Sequence, residues 1–181
     1  MSRVGRQPIP IPSGVTVSVS PGLVTVTGPK GTLHQQVDTH LSVEVTDGVV
    51  HVSPLSEGRK YRALHGLTRT LVSNMVAGVS QGFQKSVELV GVGYRVQQSG
   101  KGATFQIGYA KPAEVEPPTG IALVVEGANR VHVQGPDKQQ VGAVAARLRS
   151  IRPPNAYSGK GIRYVGEAVR LKPGKAASRS K

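Results

Sequence analysis

The stretch Val43-Glu44-Val45-Thr46-Asp47-Gly48-Val49-Val50-His51-Val52 decides the fold. Apolar residues flank Asp47-Gly48, and Asp-Gly between two such runs is a strong signal for a two-residue hairpin turn. Just downstream the apolar period changes from two to about 3.6. Tyr61, Leu64, Leu67, Leu71, Met75 and Val79 recur at helical spacing, with Ser56 as the expected N-cap and Gly78 and Gly82 marking where the helix stops. Upstream, Val15, Val17 and Val19 alternate before the turn Ser20-Pro21-Gly22, and Val24-Thr25-Val26 returns as a second hairpin. Gly28-Pro29-Lys30-Gly31 then breaks the chain ahead of a further strand over 33–37.

The same plan recurs 81 residues later. Val50-His51-Val52 falls on Val131-His132-Val133, Val15 on Val96, Lys30 on Lys111, Val43 on Val124 and Leu67 on Leu148, with no gap across the stretch. The order of elements repeats as well, which makes an internal duplication the expected architecture. Strands are expected over 87–90, 94–98, 103–109, 121–126 and 130–134, followed by a helix from about Lys138 to Ile151. Asp137 and Gln140 have capping-box spacing, Val141, Val144, Ala145, Leu148 and Ile151 form the apolar stripe, and Pro153-Pro154 forbids continuation. The expected fold class is α+β: two tandem similar domains, each an antiparallel sheet covered by one main helix. The domains are expected at 1–81 and 82–175, followed by a basic tail at 176–181 that is disordered without RNA.

The charge is unevenly shared. The 181 residues carry a formal net charge of +13. Through Gln81, seven basic residues face four acidic ones, leaving +3 there and +10 in the remainder. From Arg147 onward ten cations face a single acid, Glu167. Such self-repulsion is relieved by a polyanionic partner, and nucleic acid is the first candidate. An anionic membrane surface is disfavoured, since no helix pairs a bulky apolar face with a Lys/Arg-rich one. The chain has no cysteine, which excludes disulfides, zinc fingers and thiol catalysis and fits a reducing cytoplasm. The start, Met1 to Pro8, has no apolar h-region and does not read as a secretory signal.

The local chemistry of Tyr157-Ser158-Gly159-Lys160-Gly161-Ile162-Arg163-Tyr164 fits such a partner. It reads as a flexible glycine-rich loop behind Arg152-Pro153-Pro154, combining glycines that admit close phosphate approach, two cations and two aromatics. The bland alternative is a solvated basic loop whose tyrosines pack on the sheet, and the regional charge excess favours the binding reading. The expected RNA-binding residues are Arg95, Arg149, Arg152, Tyr157, Lys160, Arg163, Tyr164, Arg170, Lys172 and Lys175.

Other motifs carry little. Gly91-Val92-Gly93 has Val96 where a dinucleotide fingerprint needs glycine, and reads as a kink in a strand. Gly159-Lys160 lacks the upstream glycine and following hydroxyl of a P-loop. The five histidines show no metal-ligand spacing, and no nucleophile elbow is present. Neither catalysis, a metal, a cofactor nor a small-molecule substrate is expected.

Three stretches in order resemble one family: Arg62-Ala63-Leu64-His65-Gly66, Glu88-Leu89-Val90-Gly91-Val92-Gly93-Tyr94-Arg95, and Ile151-Arg152-Pro153-Pro154 continuing to Gly159-Lys160-Gly161-Ile162-Arg163-Tyr164. They are similar to large-subunit ribosomal protein six in its bacterial form, and the resemblance runs from Ser2 to about Lys175. It implies two similar α+β domains and a structural role in the large ribosomal subunit, in the cytoplasm. It further implies contact with large-subunit rRNA mainly through the second domain, near the sarcin–ricin loop and the base of the factor-recruiting stalk. Neighbouring ribosomal proteins and translation factors are the implied protein partners. The chain departs from the family pattern at Ala156, where a proline is usual, and at Ser158, where a lysine is usual. The competing readings are a free-standing RNA-binding regulator, which a salt wash would strip from large subunits, and a small-molecule enzyme, which needs a pocket of convergent titratable groups.

Overall fold

A computed structural model of the chain describes residues 2–56 and 58–175. The tail at 176–181 lies outside the described residues. By its contacts the chain divides into two units: residues up to Phe83 together with Pro136–Lys138, and Gln84–Gly135 together with the residues from Gln139 on.

In the first unit, Asp47 and Gly48 both take positive φ, 52° and 74°, a combination that makes the tight turn twist with its strands. That turn joins β5 (Leu41–Thr46) to β6 (Val49–Pro54), with Val43 opposite Val52. A short β1 (Ile9–Pro10) pairs with the other edge of β6, giving a sheet in the order β1-β6-β5. A second sheet, β2-β3-β4, is a meander of Thr16–Ser20, Leu23–Gly28 and Gly31–Gln36. Helix α1 (Arg59–Ser80) packs on β3, β4 and β6. Ile9, Val24, Val26, Val50, Val72, Val76 and Val79 meet in one core cluster.

The second unit repeats this with additions. Its strands are β7 (Phe83–Val90), β8 (Arg95–Ser99), β9 (Gly102–Gln106), β10 (Ala113–Val115), β11 (Ala122–Glu126) and β12 (Arg130–Gly135). Helix α2 (Lys138–Ile151) follows and buries Val141, Val144, Ala145 and Leu148. Strands β8, β9 and β10 form the meander, and β7 stands beside β12 as β1 stands beside β6. A further strand, β13 (Gly161–Tyr164), extends that sheet to β11-β12-β7-β13. The α+β class and the duplication are thus present, with the strands of each unit shared between two small sheets.

Several details differ from the sequence reading. The duplication is not gapless. Val43 pairs with Val52, whereas Val124 pairs with His132 and it is Leu123 that pairs with Val133. The second hairpin carries three loop residues, Gly127-Ala128-Asn129, where the first has two. One inserted residue shifts the preceding strand to an offset of 80, so Val124 faces out while Leu123 is buried. The apolar stripe of α1 is also displaced: Leu67 is 55% exposed, although Leu148 is fully buried, and the inward face is His65, Thr68, Val72, Met75, Val76 and Val79. His65 can be buried because its Nε2 donates to the Val52 carbonyl at 2.8 Å. The N-cap of α1 is Gly58, without a side-chain cap, rather than Ser56. Gly78 lies within the helix, and Gly82, with φ 78°, follows its C-cap Gln81. Gly91-Val92-Gly93 is the turn between β7 and β8 rather than a kink inside a strand.

This displacement is testable in one helix. Val72→Ala removes two buried methyl groups and should cost about 1.5–3 kcal/mol. Leu67→Ala should stay within about 0.5 kcal/mol, as exposed substitutions do. Urea unfolding of the two variants measures the difference, and the stripe expected from leucine spacing demands the reverse order.

Candidate nucleic-acid interface

All ten residues expected to bind RNA lie in the second unit, and the fold sorts them into two groups. The helix cannot run past Ile151 because of Pro153-Pro154, so the chain turns there. Arg152 anchors the turn. Its guanidinium donates to the Ile107 carbonyl and lies over the rings of Tyr94 and Tyr109, 5.2 Å and 4.9 Å from their centroids. The Tyr109 hydroxyl in turn donates to the Ile151 carbonyl at 3.1 Å.

The segment after it is a closed loop. Asn155 Oδ1 accepts the backbone N–H groups of Tyr157 and Ser158 at 2.8 Å and 3.1 Å, an Asx turn. Asn155 N donates to the Lys160 carbonyl and Gly159 N to the Asn155 carbonyl, both at 2.9 Å. Ile162 N then donates to the Arg152 carbonyl at 2.8 Å. The chain passes so close to Pro153-Pro154 that a Cβ on Gly161 would lie 2.6 Å from the Pro153 oxygen, and Gly161 has φ 148°. Only glycine fits there.

Here the expectation of one flexible glycine-rich loop over 157–164 is corrected. Gly161–Tyr164 is β13, an edge strand paired with β7 in the register Arg163↔Glu88. Arg163 is therefore not a free loop cation: its Nε donates to Glu88 Oε1 at 2.6 Å, with both side chains about two-thirds buried or more. Arg149, at the end of α2, forms a two-pronged pair with Glu167, Nε to Oε2 at 2.9 Å and Nη2 to Oε1 at 2.5 Å. Glu167 Oε2 also accepts the Tyr164 N–H at 2.9 Å. The Tyr164 ring lies under Lys85 Nζ at 4.3 Å and near the Arg149 guanidinium at 5.7 Å. Arg149, Arg152, Arg163 and Tyr164 are thus engaged within the protein.

The other six point outward. Arg95 is exposed on β8, with its Nε on Gln106 Oε1 at 2.6 Å. Tyr157 is 64% exposed at the loop, and Lys160, Arg170, Lys172 and Lys175 are exposed as well. Lys172 N donates to the Ala156 carbonyl at 2.7 Å, and Leu171 lies against Gly159, so the segment carrying Arg170 and Lys172 is seated beside the loop carrying Tyr157 and Lys160. This is a rigid support with cations and one aromatic at its surface. It suits phosphates, with a stacking position beside them. Sequence reasoning missed the residues that hold it in place: Glu167, Glu88 and Asn155. The signal for Glu167 was present, as the single carboxylate among ten cations.

The sequence model of the family described as Ribosomal protein L6 matches this chain twice, at residues 11–82 and 90–165. The chain belongs to the ribosomal protein L6 family. The two matched segments correspond to the two halves of the duplication, and the family is one of structural ribosomal proteins, not of enzymes. Among L6 relatives, the large ribosomal subunit protein uL6 of Caldanaerobacter subterraneus subsp. tengcongensis is 53% identical over 176 residues, 97% of this chain and 98% of the relative. That of Thermus thermophilus is 51% identical over 179 residues, 99% of either chain.

The Glu167 clamp makes a pH prediction. Hydrogen bonds from Arg149, reinforced by the Tyr164 N–H, hold the Glu167 carboxyl down at about 2 from an ordinary 4.5 against the opposing effect of burial, and the same pair pushes Arg149 up. A lowered carboxylate pKa stabilises the fold in full above the unfolded value, and the contribution fades as pH falls from about 4.5 towards 2. Glu167→Gln should therefore be less stable than the parent near neutral pH, with the gap closing across that acid window. Thermal melts as a function of pH read this directly, and a gap independent of pH contradicts the clamp.

Proposed function

We propose that the chain is a structural component of the large ribosomal subunit, binding that subunit's rRNA mainly through its second unit. The observation that carries this reading is the surface of Tyr157, Lys160, Arg170 and Lys172, in which exposed cations flank an exposed ring on a hydrogen-bonded support. Phosphate neutralisation supplies sequence-independent affinity, and a rigid support lowers the ordering cost on binding. Lys175 and Arg95 extend the same chemistry further along the unit. Arg149, Arg152, Arg163 and Tyr164 contribute by shaping the surface through their contacts inside the unit.

Its RNA neighbourhood is read as the sarcin–ricin loop and the base of the factor-recruiting stalk, as the resemblance implies. Neighbouring ribosomal proteins and translation factors are then its protein partners. Hydroxyl-radical footprinting of large-subunit rRNA with the protein tests this placement: protection confined to other regions refutes it.

Lys160→Ala with Lys172→Ala should leave the melting transition near its original temperature, since both are exposed. Affinity for large-subunit rRNA should fall, and the plot of log K against log salt should flatten by roughly one to two units. Arg149→Ala should lower the melting temperature instead, because it leaves the part-buried Glu167 without its cationic partner. Unchanged RNA binding in the Lys160/Lys172 double variant removes the support for this surface.

A further inference from the structure

The first unit has the smaller net charge, yet several of its cations stand exposed and outside the ion pairs formed by Arg130, Arg149 and Arg163. The ion pairs Arg149–Glu167, Arg163–Glu88 and Arg130–Glu126, and the His132–Glu126 contact, lie in the second unit. Two carboxylates of the first unit bond locally: Asp38 Oδ1 accepts the His40 N–H, and Glu44 Oε1 accepts the Ser42 hydroxyl within β5. Arg3, Arg6, Arg59, Lys60 and Arg62 are all exposed and form no ion pair among the described residues. Glu57, next to this run in sequence, lies outside them.

These cations are gathered by construction. Arg62, Gly66 and Arg69 are spaced i, i+4, i+7 and so form one line along α1. The N-terminal segment is laid against that line. Arg69 Nε donates to the Gln7 carbonyl at 3.0 Å and its Nη2 to the Pro8 carbonyl at 3.2 Å. The approach is close: a Cβ on Gly66 would stand 2.8 Å from Ser2 Oγ, and Gly5 is covered by the His65 ring, 2.6 Å from any Cβ. Within the segment, Ser2 Oγ accepts the Gly5 N–H and Ser2 O accepts the Arg6 N–H, both at 3.3 Å. Pairing of Ile9 with Val50 fixes its far end. Arg3 and Arg6 are therefore carried on an ordered turn packed along the same helix as Arg62, with their mutual repulsion uncompensated.

We infer that Arg3, Arg6 and Arg62 form a second phosphate-binding surface, on the first unit, that grips the backbone of the same large-subunit rRNA. The inference rests on the proposed function for the polyanion's identity. A protein partner is the less favoured occupant: Val4 is exposed between Arg3 and Arg6 in sequence, but three exposed guanidiniums without an ion-pair partner among the described residues are what phosphate contacts require. Two surfaces on one chain raise affinity through effective concentration, without either being tight alone.

The test uses the full chain and a large-subunit rRNA transcript, with binding measured across a salt series. Arg3→Ala, Arg6→Ala and Arg62→Ala together should weaken binding about tenfold or more and flatten the salt slope by roughly two to three units. Arg→Lys at the same three positions should restore most of it, since a phosphate accepts either cation. The control, Lys30→Ala with Lys101→Ala and Lys111→Ala, should change neither quantity more than about twofold. Equal losses in control and test overturn the inference in favour of net charge alone. An unchanged slope overturns it too, and if incorporation into subunits still falls, the surface serves a protein. Should the Ala variant melt early, Arg3→Gln with Arg6→Gln leaves the helix untouched and must still flatten the slope by about one to two units. If Lys160→Ala with Lys172→Ala loses binding while the arginine variant does not, this inference alone fails; if neither does, the underlying function fails.

Discussion

The clamp of Arg149 and the Tyr164 N–H on Glu167 is the contact on which the C-terminal third of this protein depends. Ten cations from Arg147 onward repel one another, and packing such a segment against a helix end concentrates that repulsion. A single carboxylate, shared between a guanidinium and a backbone N–H, ties the end of α2 to the chain beyond β13. Glu88 does the same for Arg163 on the adjacent strand. With those two arginines neutralised internally, the loop between Pro153 and Lys160 can close on itself through Asn155. Lys160, Arg170 and Lys172 are then left exposed at the surface.

The duplication shows how one plan is put to two uses. Each unit has a meander, a hairpin sheet and a helix burying an apolar stripe, and the valines at 50, 52, 131 and 133 hold the same inward positions. The second unit adds β13, recruited from the chain beyond its helix, and with it the frame of the basic loop. The first unit uses the chain before β2 differently. Ser2–Pro8 lies along α1, held by Arg69, and carries its arginines into the open. In one unit Arg149 and Arg163 are paired with internal acids; in the other Arg3, Arg6 and Arg62 form no ion pair among the described residues.

Much of the fold was legible. Asp47-Gly48 announced its hairpin because the backbone geometry of that turn admits few other residues. The strand–helix order was readable because the period changes from two to 3.6, and the family was readable because several specific stretches recur in order. The stripe of α1 was not, since its inward face includes His65 and Thr68, whose burial depends on hydrogen bonding and packing rather than on hydropathy. The inserted hairpin residue was hidden by chance identity of Val43 with Val124. The interface was legible as a region and misread within it: composition located the basic segment, but could not tell Arg163 from Lys160.

By itself, then, the sequence determined what short-range chemistry can encode: turn positions, periodicity, helix stops at Pro153-Pro154, and the regional excess of charge. Tertiary structure alone decided which charges remain available, because pairing is a matter of distance between residues far apart in the chain. Glu88 and Arg163 are 75 positions apart and 2.6 Å from contact to contact; Arg69 and the Gln7 carbonyl are 62 apart and 3.0 Å. No count of cations along the chain can register such neutralisation, since the strength of an ion pair is set by its separation and its exclusion from water.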